Sequence, residues 1–258
     1  MTIPASVYII TLNCEPWMQR VLESVRDFAE VVILDSGSTD KTWDIARSFP
    51  NVRIRHQDWQ GYSGQKTLAL AECTQPWVLN LDGDEVLSPK LKQEIEKIIA
   101  EDRIDGLVVP IREAFMGALA HPMTKMNAKI RFFRRSRGGY DLGLAVHEAV
   151  HVNGIVAKAH GTIRHYGDQG IAIKIEKCNQ YSTLKAKEKA DKGKSLWSLK
   201  LLTVMPLTFL KSYFIRRNFM NGWRGFIGST INAFYAFLKE AKLYEFNLAP
   251  KDDSKDHE

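Results

Sequence analysis

The chain has 258 residues, of which 45% are hydrophobic and 26% charged, so it can bury a full core and is not a disordered chain. Its three cysteines, Cys14, Cys73 and Cys178, have neither paired nor metal-ligand spacing, which excludes a disulfide framework and a zinc site and favours a reducing compartment. The N-terminus enters an apolar strand pattern without a basic, apolar leader, so we expect a cytoplasmic protein.

Strand and helix patterns alternate through the first hundred residues. Strands are predicted near 6–12, 31–35, 52–55 and 77–81. Helices are predicted near 16–28, 39–48, 63–73 and 88–101. This alternation predicts an α/β fold with a mostly parallel sheet covered by helices on both faces.

The chain changes character after this alternation. Residues 105–166 are predicted as shorter strands and turns, with a loop over the site at 113–127. From 169 onward the pattern is helical, with breaks expected near Gly193 and Pro206. We therefore expect a catalytic domain over 1–168, a helical extension over 169–246 and a flexible acidic tail over 247–258.

Charge is distributed unevenly between these parts. Residues 1–100 contain 10 Lys/Arg and 14 Asp/Glu, whereas residues 171–242 contain 14 and 4. The basic helical extension therefore favours an anionic partner. The stretch Asn218–Phe246 also has an apolar stripe, containing Trp223, Phe226, Ile227, Ile231, Phe234, Phe237, Leu238 and Ala241. This helix either docks on the catalytic domain or lies in a membrane interface with anionic lipid.

Polar residues follow three of the predicted strands where each strand ends. They are Asn13, Asp35 and the pair Asp82 and Asp84. In open α/β folds, ligands bind at the carboxyl ends of the strands. Carboxylates crowded at one strand end suit Mg²⁺ or Mn²⁺, which in turn holds phosphate oxygens. The alternative for Asp82-Gly-Asp-Glu85 is a solvated acidic turn before the next helix.

Taken together, these motifs resemble those of the inverting glycosyltransferases with the GT-A fold, known as family 2. The superfamily resemblance rests on Tyr8-Ile-Ile-Thr-Leu-Asn13, Asp35-Ser-Gly-Ser-Thr-Asp40 and Asp82-Gly-Asp-Glu85. Within it, the chain is most similar to bacterial glucosyltransferases of the lipopolysaccharide or lipooligosaccharide inner core. That narrower resemblance rests on Asp82-Gly-Asp-Glu85, Lys129-Ile-Arg131-Phe-Phe-Arg134, Val146-His-Glu148 and Ile163-Arg-His165-Tyr166.

The resemblance implies roles on the donor side. Asn13 and Asp35 would form the floor of the nucleotide pocket, with Asp35 accepting from the base; its alternative role is to cap the next turn. Lys66, expected where a helix begins, would lie near the diphosphate or be a solvated first-turn lysine. Asp84 would ligate the metal ion, while Asp82 would contact the ribose or reach the ion through water.

Two further basic residues are candidates for the donor site. Arg131 lies in a strand-like run with Arg134, and an arginine fork can hold phosphate or carboxylate through two hydrogen bonds. The alternative for both arginines is a basic strand edge. His165 could reach the diphosphate or the metal, or it could be a packed polar residue.

An inverting transfer needs a base for the acceptor hydroxyl. Many relatives carry a Glu-Asp pair for this role about a hundred residues past the metal motif, and this chain has none at that place. We assign Glu148 as the base, with Asp141 as the reserve candidate. His147 either orients the base or contacts the donor, or it is a structural histidine.

These assignments predict a metal-dependent transferase that moves a hexose, glucose from UDP-glucose, onto a heptose of the lipopolysaccharide inner core in a β linkage. The enzyme would act at the cytoplasmic face of the inner membrane as a peripheral protein. Because no Gln-x-x-Arg-Trp signature is present, we expect single additions rather than polymerisation. One alternative is a capsule, exopolysaccharide or protein-linked glycan acceptor. More remote alternatives are a nucleotidyltransferase, a non-catalytic nucleotide-sugar-binding protein and a nucleic-acid binder, although we expect no nucleic-acid partner.

Overall fold

The computed structural model describes residues 2–140, 150–167, 170–194 and 198–248. The chain forms two compact units. The sheet unit comprises Met1–Ala114 and Met126–Gly167, and the helical unit comprises Phe115–Lys125 and Asp168–Glu258. The residues predicted for the acceptor base and its partner, Asp141, His147 and Glu148, lie outside the described residues.

The sheet unit is built from strands and helices in alternation, as predicted. The first strands are β1 (Ile3–Thr11), β2 (Phe28–Asp35), β3 (Val52–His56), β4 (Trp77–Asp82), β5 (Glu85–Leu87) and β6 (Gly106–Phe115). The later strands are β7 (Ala118–Leu119, in the helical unit), β8 (Asn127–Arg134), β9 (Gly138–Tyr140), β10 (Val150–Val152), β11 (Val156–Lys158) and β12 (Ile163–His165). The helices are α1 (Glu15–Ser24), α2 (Thr42–Arg47), α3 (Gly61–Ala71) and α4 (Pro89–Glu101).

The main sheet has the order β3-β2-β1-β4-β8-β6-β12-β5, with β11 also paired to β6. The β3-β2-β1-β4 half is parallel throughout, whereas β8 is antiparallel to both β4 and β6. The predicted α/β class, with a mostly parallel mixed sheet between helices, is therefore confirmed.

Alternating side chains of the parallel strands fill two cores. On one face, Val7 and Ile9 of β1 pack in a cluster with Met18 of α1 and Leu91 of α4. On the other face, Tyr8 of β1 packs in a cluster that includes α3. Because successive side chains of a strand point to opposite faces, helices on both sides are needed to bury them.

Local signals explain where α4 begins and ends. The Ser88 hydroxyl accepts a hydrogen bond from the Leu91 backbone N–H at 3.3 Å, and Pro89 occupies the first helical position. Asp102 ends the helix in the left-handed conformation, with φ of 53°. The helix predicted at 88–101 is confirmed, whereas α1 ends at Ser24, four residues before its predicted end.

The Glu30 carboxylate accepts a network of hydrogen bonds at the amino end of the sheet. Glu30 of β2 accepts hydrogen bonds from the Ser6 hydroxyl, from the Thr74 backbone and hydroxyl, and from Arg53. Burial raises the pKa of Glu30, but these donors together outweigh it and lower the pKa to about 2. Glu30 therefore stays ionised and ties β1, β2 and the turn before β4 together.

The helical unit contains α5 (Ile171–Asp191), α6 (Ser198–Leu210), a π-helix (Lys211–Ile215), a 3-10 helix (Asn218–Asn221) and α7 (Gly222–Leu248). The predicted break near Gly193 is confirmed, with φ of 67° at that glycine. The predicted break at Pro206 is wrong, because α6 continues through it to Leu210. The chain instead changes direction where Arg217 and Gly222 adopt positive φ, of 59° and 58°.

The segment before β8 also differs from its predicted loop. β6 continues to Phe115, and β7 occupies Ala118–Leu119. Residues 115–125 belong to the helical unit, where the Asn221 side chain accepts from the His121 N–H at 2.6 Å. The Lys125 N–H likewise donates to the Arg216 carbonyl at 2.9 Å.

The apolar stripe predicted along α7 is only partly exposed. Trp223 is 80% exposed, whereas Ile231 is buried together with Ala233 and Ala236. The middle of α7 packs against α5 and α6 within the helical unit. The stripe is therefore only partly covered: Ile231 is buried, whereas Trp223 and Phe226 near the start of the helix are exposed.

Candidate active site

The strand ends carrying the candidate residues meet at one edge of the sheet. Thr11 of β1 pairs with Asp35 of β2, and Ile10 pairs with Asp82 of β4. Asp35 in turn pairs with His56 of β3. The direction of strand order reverses at β1, and such a switch point opens a crevice for ligands at the carboxyl ends of the strands.

Asn13 shapes the loop at this crevice. It has φ of 52°, a left-handed conformation that asparagine tolerates. Its side-chain oxygen accepts from the Thr39 N–H at 2.9 Å, and its own N–H donates to the Ser38 hydroxyl at 2.7 Å. Asn13 is exposed, so it fastens the β1 loop to the β2 loop at the surface of the crevice.

Asp35 is fully buried, and its carboxylate is occupied by neighbouring donors. One oxygen accepts from the N–H groups of Gly37 and Ser38 and from the Trp43 indole, at 3.0, 2.8 and 2.9 Å. The other oxygen accepts from the Ser38 hydroxyl. This geometry supports the turn-capping alternative, while base recognition by Asp35 stays a prediction.

Asp40 links the starts of two helices. It accepts from the Glu15 N–H of α1 at 2.9 Å and from the Thr42 N–H of α2 at 3.0 Å. The Lys41 N–H donates back to the Glu15 carboxylate at 3.1 Å. Asp40 therefore orders the loops around the crevice.

Asp82 lies between two cations. One carboxylate oxygen is 2.8 Å from the Lys66 ammonium, and the other is 3.2 Å from the Arg131 guanidinium. Burial raises the pKa of Asp82, but Arg131 and Lys66 outweigh it and hold the pKa well below its usual range. Both oxygens of this ionised carboxylate therefore face cations, and the metal role expected for Asp82 stays a prediction.

Lys66 is not the first-turn lysine that was predicted. α3 begins at Gly61, so Lys66 lies in its second turn, and only 4% of its surface is exposed. The expected solvated alternative is therefore wrong. Lys66 instead brings positive charge from α3 to the end of β4.

Arg131 is buried beneath the acidic motif rather than at a strand edge, so the edge alternative is wrong for this residue. It donates to Asp82, to Glu85 at 2.6 Å and to the Asn80 side chain. Burial, together with the neighbouring Asp82 charge, raises the pKa of Glu85 despite the opposing effect of Arg131. Arg134 lies elsewhere, with its guanidinium 3.2 Å from Asp105.

Asp84 points to a different neighbour. Its carboxylate is 3.3 Å from the Nε2 atom of His165, and both side chains are about one quarter exposed. The strand β12 positions His165 by pairing it with Glu85 of β5. His165 therefore lies beside the acidic motif, and its contact with the diphosphate or the metal stays a prediction.

Two glycines make room for the acidic motif. A Cβ atom on Gly83 would lie 2.6 Å from the sulfur of Cys14, the residue before α1, so glycine lets the motif pack closely against this loop. A Cβ on Gly167 would lie 1.8 Å from the Asp84 carboxylate oxygen. Sequence reasoning missed Gly167, because its approach to Asp84 depends on strand pairing between distant segments.

The donor set at Asp84 fits a hard divalent cation. No cluster of three or more metal-ligating side chains is found among the described residues. Mg²⁺ is usually held by one or two carboxylates while phosphates and water complete its shell, so a large protein cage is not needed. Asp84 supplies a partly exposed carboxylate, and the His165 nitrogen beside it could orient that carboxylate or be a second ligand.

Comparisons with known proteins agree with this fold. Solved structures with similar folds include TarS residues 1–349 of S. aureus in complex with UDP-GlcNAc, with a TM-score of 0.51, 16% identity and coverage of 95% of this chain and 89% of that chain. Another is the mannosyltransferase PcManGT of Pyrobaculum calidifontis in complex with GDP-Man and Mn²⁺, with a TM-score of 0.50, 16% identity and coverage of 92% and 88%. These likenesses and the sheet order define a GT-A glycosyltransferase fold.

The family follows from sequence. Residues 6–155 match the model of glycosyl transferase family 2. The lipopolysaccharide core biosynthesis glycosyltransferase LpsC of Rhizobium meliloti is 37% identical over 250 residues, covering 94% of this chain and 93% of the relative. An uncharacterized glycosyltransferase of Rickettsia typhi is 34% identical, covering 96% and 89%. The chain belongs to glycosyl transferase family 2 and is a glycosyltransferase, which removes the nucleotidyltransferase and nucleic-acid-binder alternatives.

Proposed function

We propose that this glycosyltransferase is metal-dependent and inverting, and that it moves glucose from UDP-glucose onto a heptose of the lipopolysaccharide inner core, one sugar at a time. The observation that carries the proposal is the separation of the two aspartates at the end of β4. Asp82, whose side chain is 33% exposed, is paired with the cations Lys66 and Arg131, whereas Asp84, which is 26% exposed, lies beside His165. We infer that the two cations fix Asp82 within the site and that Asp84 is the carboxylate offered to a metal ion.

On the donor side, Asp84 with His165 would hold Mg²⁺ or Mn²⁺, which when bound neutralises charge on the departing diphosphate. Arg131 and Lys66 keep Asp82 ionised and fix its orientation, so that it can accept from ribose hydroxyls. Asn13 fastens the loops that border the nucleotide, and Asp35 holds the β2 turn or accepts from the base. These groups bind and orient the donor before transfer.

On the acceptor side, Glu148 is proposed to take the proton of the attacking hydroxyl, with Asp141 as the reserve. The attacking oxygen then forms its bond to the anomeric carbon as the bond to the diphosphate breaks, which inverts that carbon. No water or second nucleophile is required for this single displacement.

The acceptor assignment draws on the Rhizobium meliloti relative, whose name places it in lipopolysaccharide core biosynthesis. A lipid-anchored core oligosaccharide would bring the enzyme to the cytoplasmic face of the inner membrane as a peripheral protein. Within the described residues, no helix has both the length and the apolar character needed to cross a membrane. Glycan analysis of a deletion strain tests the acceptor, because intact lipopolysaccharide cores would point to another glycan.

The donor and the metal are tested together by calorimetry. The purified protein is titrated with a panel of nucleotide sugars, with and without Mn²⁺ or Mg²⁺. We expect metal-dependent binding confined to UDP-sugars and lost in Asp84→Ala. Binding should be retained in the control Asp58→Ala, which removes the same chemical group from a side chain that is 86% exposed. Equal binding in EDTA would reject the metal role, and preference for another nucleotide would reject the donor.

A further inference from the structure

One long segment of the helical unit has no negative side chain. From Lys192 to Lys239, a run of 48 residues, the sequence contains eight Lys or Arg and no Asp or Glu. This segment includes α6, the π-helix, the 3-10 helix and the first two-thirds of α7. Its charge is therefore of one sign at neutral pH, and it attracts anions within the reach of ionic screening.

The same segment exposes large apolar side chains. We define the α6–α7 face as Leu202, Leu210, Phe214, Ile215, Phe219 and Trp223, whose exposed fractions are 76, 49, 55, 69, 46 and 80%. Isolated exposed apolar residues are ordinary on a protein surface, but several that pack together mark an interaction site. Ring contacts through Tyr213 and Phe226 join three members of this face, Phe214, Phe219 and Trp223.

Aromatic packing holds this face together. Tyr213 stacks on Phe209 with ring centroids 5.3 Å apart and meets Phe214 edge to face at 5.1 Å. Phe226 contacts both Tyr213 and Trp223 at 6.0 Å. The exposed rings therefore project from a packed aromatic cluster, so little conformational entropy is lost when they bind a partner.

Cations lie next to the apolar residues along the chain. Lys211 follows Leu210, Arg217 comes two residues after Ile215, and Arg224 follows Trp223. All three cations are exposed. Alternation of Trp, Phe and Leu with Lys and Arg is typical of helices that lie in the headgroup region of a membrane.

The length of α6 and the positive charge of this segment favour one kind of partner for the α6–α7 face. α6 has 13 residues and therefore rises about 20 Å, which is shorter than the roughly 30 Å hydrocarbon core of a bilayer. A second copy of the chain would present the same positive charge and would be repelled. An anionic bilayer accepts the exposed rings at the boundary of its headgroups and attracts the cations through its negative lipids.

We propose that the α6–α7 face binds the surface of an anionic lipid bilayer. This inference deepens the proposed function by naming the surface that brings the enzyme to a lipid-anchored acceptor. It also moves the membrane contact from the α7 stripe expected from sequence to α6, the π-helix and the start of α7.

The test is sedimentation of the full chain with vesicles of phosphatidylcholine alone or with added phosphatidylglycerol. We expect binding only to the anionic vesicles, weakened at least about tenfold by Trp223→Asp or Leu202→Asp. Replacing Lys211 or Arg217 by alanine should weaken binding to the anionic vesicles about fivefold for each cation removed. The matched control is Leu184→Asp on α5, where a 62% exposed leucine outside the face should be dispensable.

Three results would overturn the inference. The first is failure to bind anionic vesicles, and the second is a loss of vesicle binding in Leu184→Asp as large as in the face variants. The third is a wild-type protein that elutes from a sizing column as a dimer while Trp223→Asp elutes as a monomer. Thermal melts establish that each variant is folded. An assay of sugar transfer to a water-soluble core fragment separates the two proposals. Vesicle binding without transfer counts against the proposed transferase function, and transfer without vesicle binding counts against lipid binding by the α6–α7 face.

Discussion

The position of Gly167 beside Asp84 gives the sharpest test of the site. In Gly167→Ala the new methyl carbon would start 1.8 Å from the Asp84 carboxylate oxygen and 3.4 Å from the His165 Nε2 atom. An ordinary contact begins near 3.4 Å, so the carboxylate must move by about 1.5 Å. A displacement of about 1 Å in a catalytic group can cost about a hundredfold in rate.

We therefore expect Gly167→Ala to lower kcat about a hundredfold and to raise the Mn²⁺ concentration needed for half-maximal activity. The free energy of unfolding should change by less than about 1 kcal/mol, because the Asp84 side chain is partly exposed and can swing toward solvent. UDP release is measured against Mn²⁺ concentration, and calorimetry measures Mn²⁺ binding in the presence of UDP.

The matched control is Gly139→Ala, since a Cβ at Gly139 meets nothing within 4 Å and its φ is not in the left-handed region. This control should retain the kcat and metal dependence of the wild type. If Gly167→Ala also retains both, Asp84 does not hold the metal in the position described, and the steric argument is refuted.

Three other changes test the wider structure. Glu30→Gln should lose about 3 kcal/mol of unfolding free energy at pH 7, because the folded pKa of Glu30 is about 2 against an ordinary value of 4.5; the difference from wild type should shrink as the pH falls from 4.5 to 2 in urea titrations. Arg131→Met should cost about 3–5 kcal/mol in the same assay, because it leaves Glu85 without its buried cation and Asp82 with Lys66 alone. Glu148→Gln should leave UDP-sugar affinity near normal while transfer slows about a hundredfold or more, as expected for loss of a general base.

Each of these three has a distinguishing outcome. A Glu30→Gln deficit that is unchanged at pH 2 would mean that the lost contribution is packing rather than charge. The double variant Arg131→Met with Glu85→Gln should regain part of the unfolding free energy lost in Arg131→Met. No recovery would mean that the unpaired Glu85 charge is not the cause of that loss. Normal transfer by Glu148→Gln would move the base role to Asp141 or another group.

Much of the sheet unit was predictable because its determinants are local. The apolar runs before Asn13, Asp35 and Asp82 are long enough to require strands buried on both faces, and the intervening helical patterns force parallel connections. Parallel strands bring their carboxyl ends to one edge, so the convergence of these residues follows from chain order alone. Ser88 and Pro89 similarly specify the start of α4 through hydrogen bonds and φ restrictions that act within one helical turn.

The sequence by itself therefore determined the fold class, the family and the edge of the sheet where the site lies. Only the tertiary structure decided which cations pair with Asp82, because its pairing with Lys66 and Arg131 joins segments up to 65 residues apart. It also placed Gly167 against Asp84 and turned the middle of α7 inward. Periodicity identifies the apolar side of a helix, but the partner that covers that side is set by packing between distant segments.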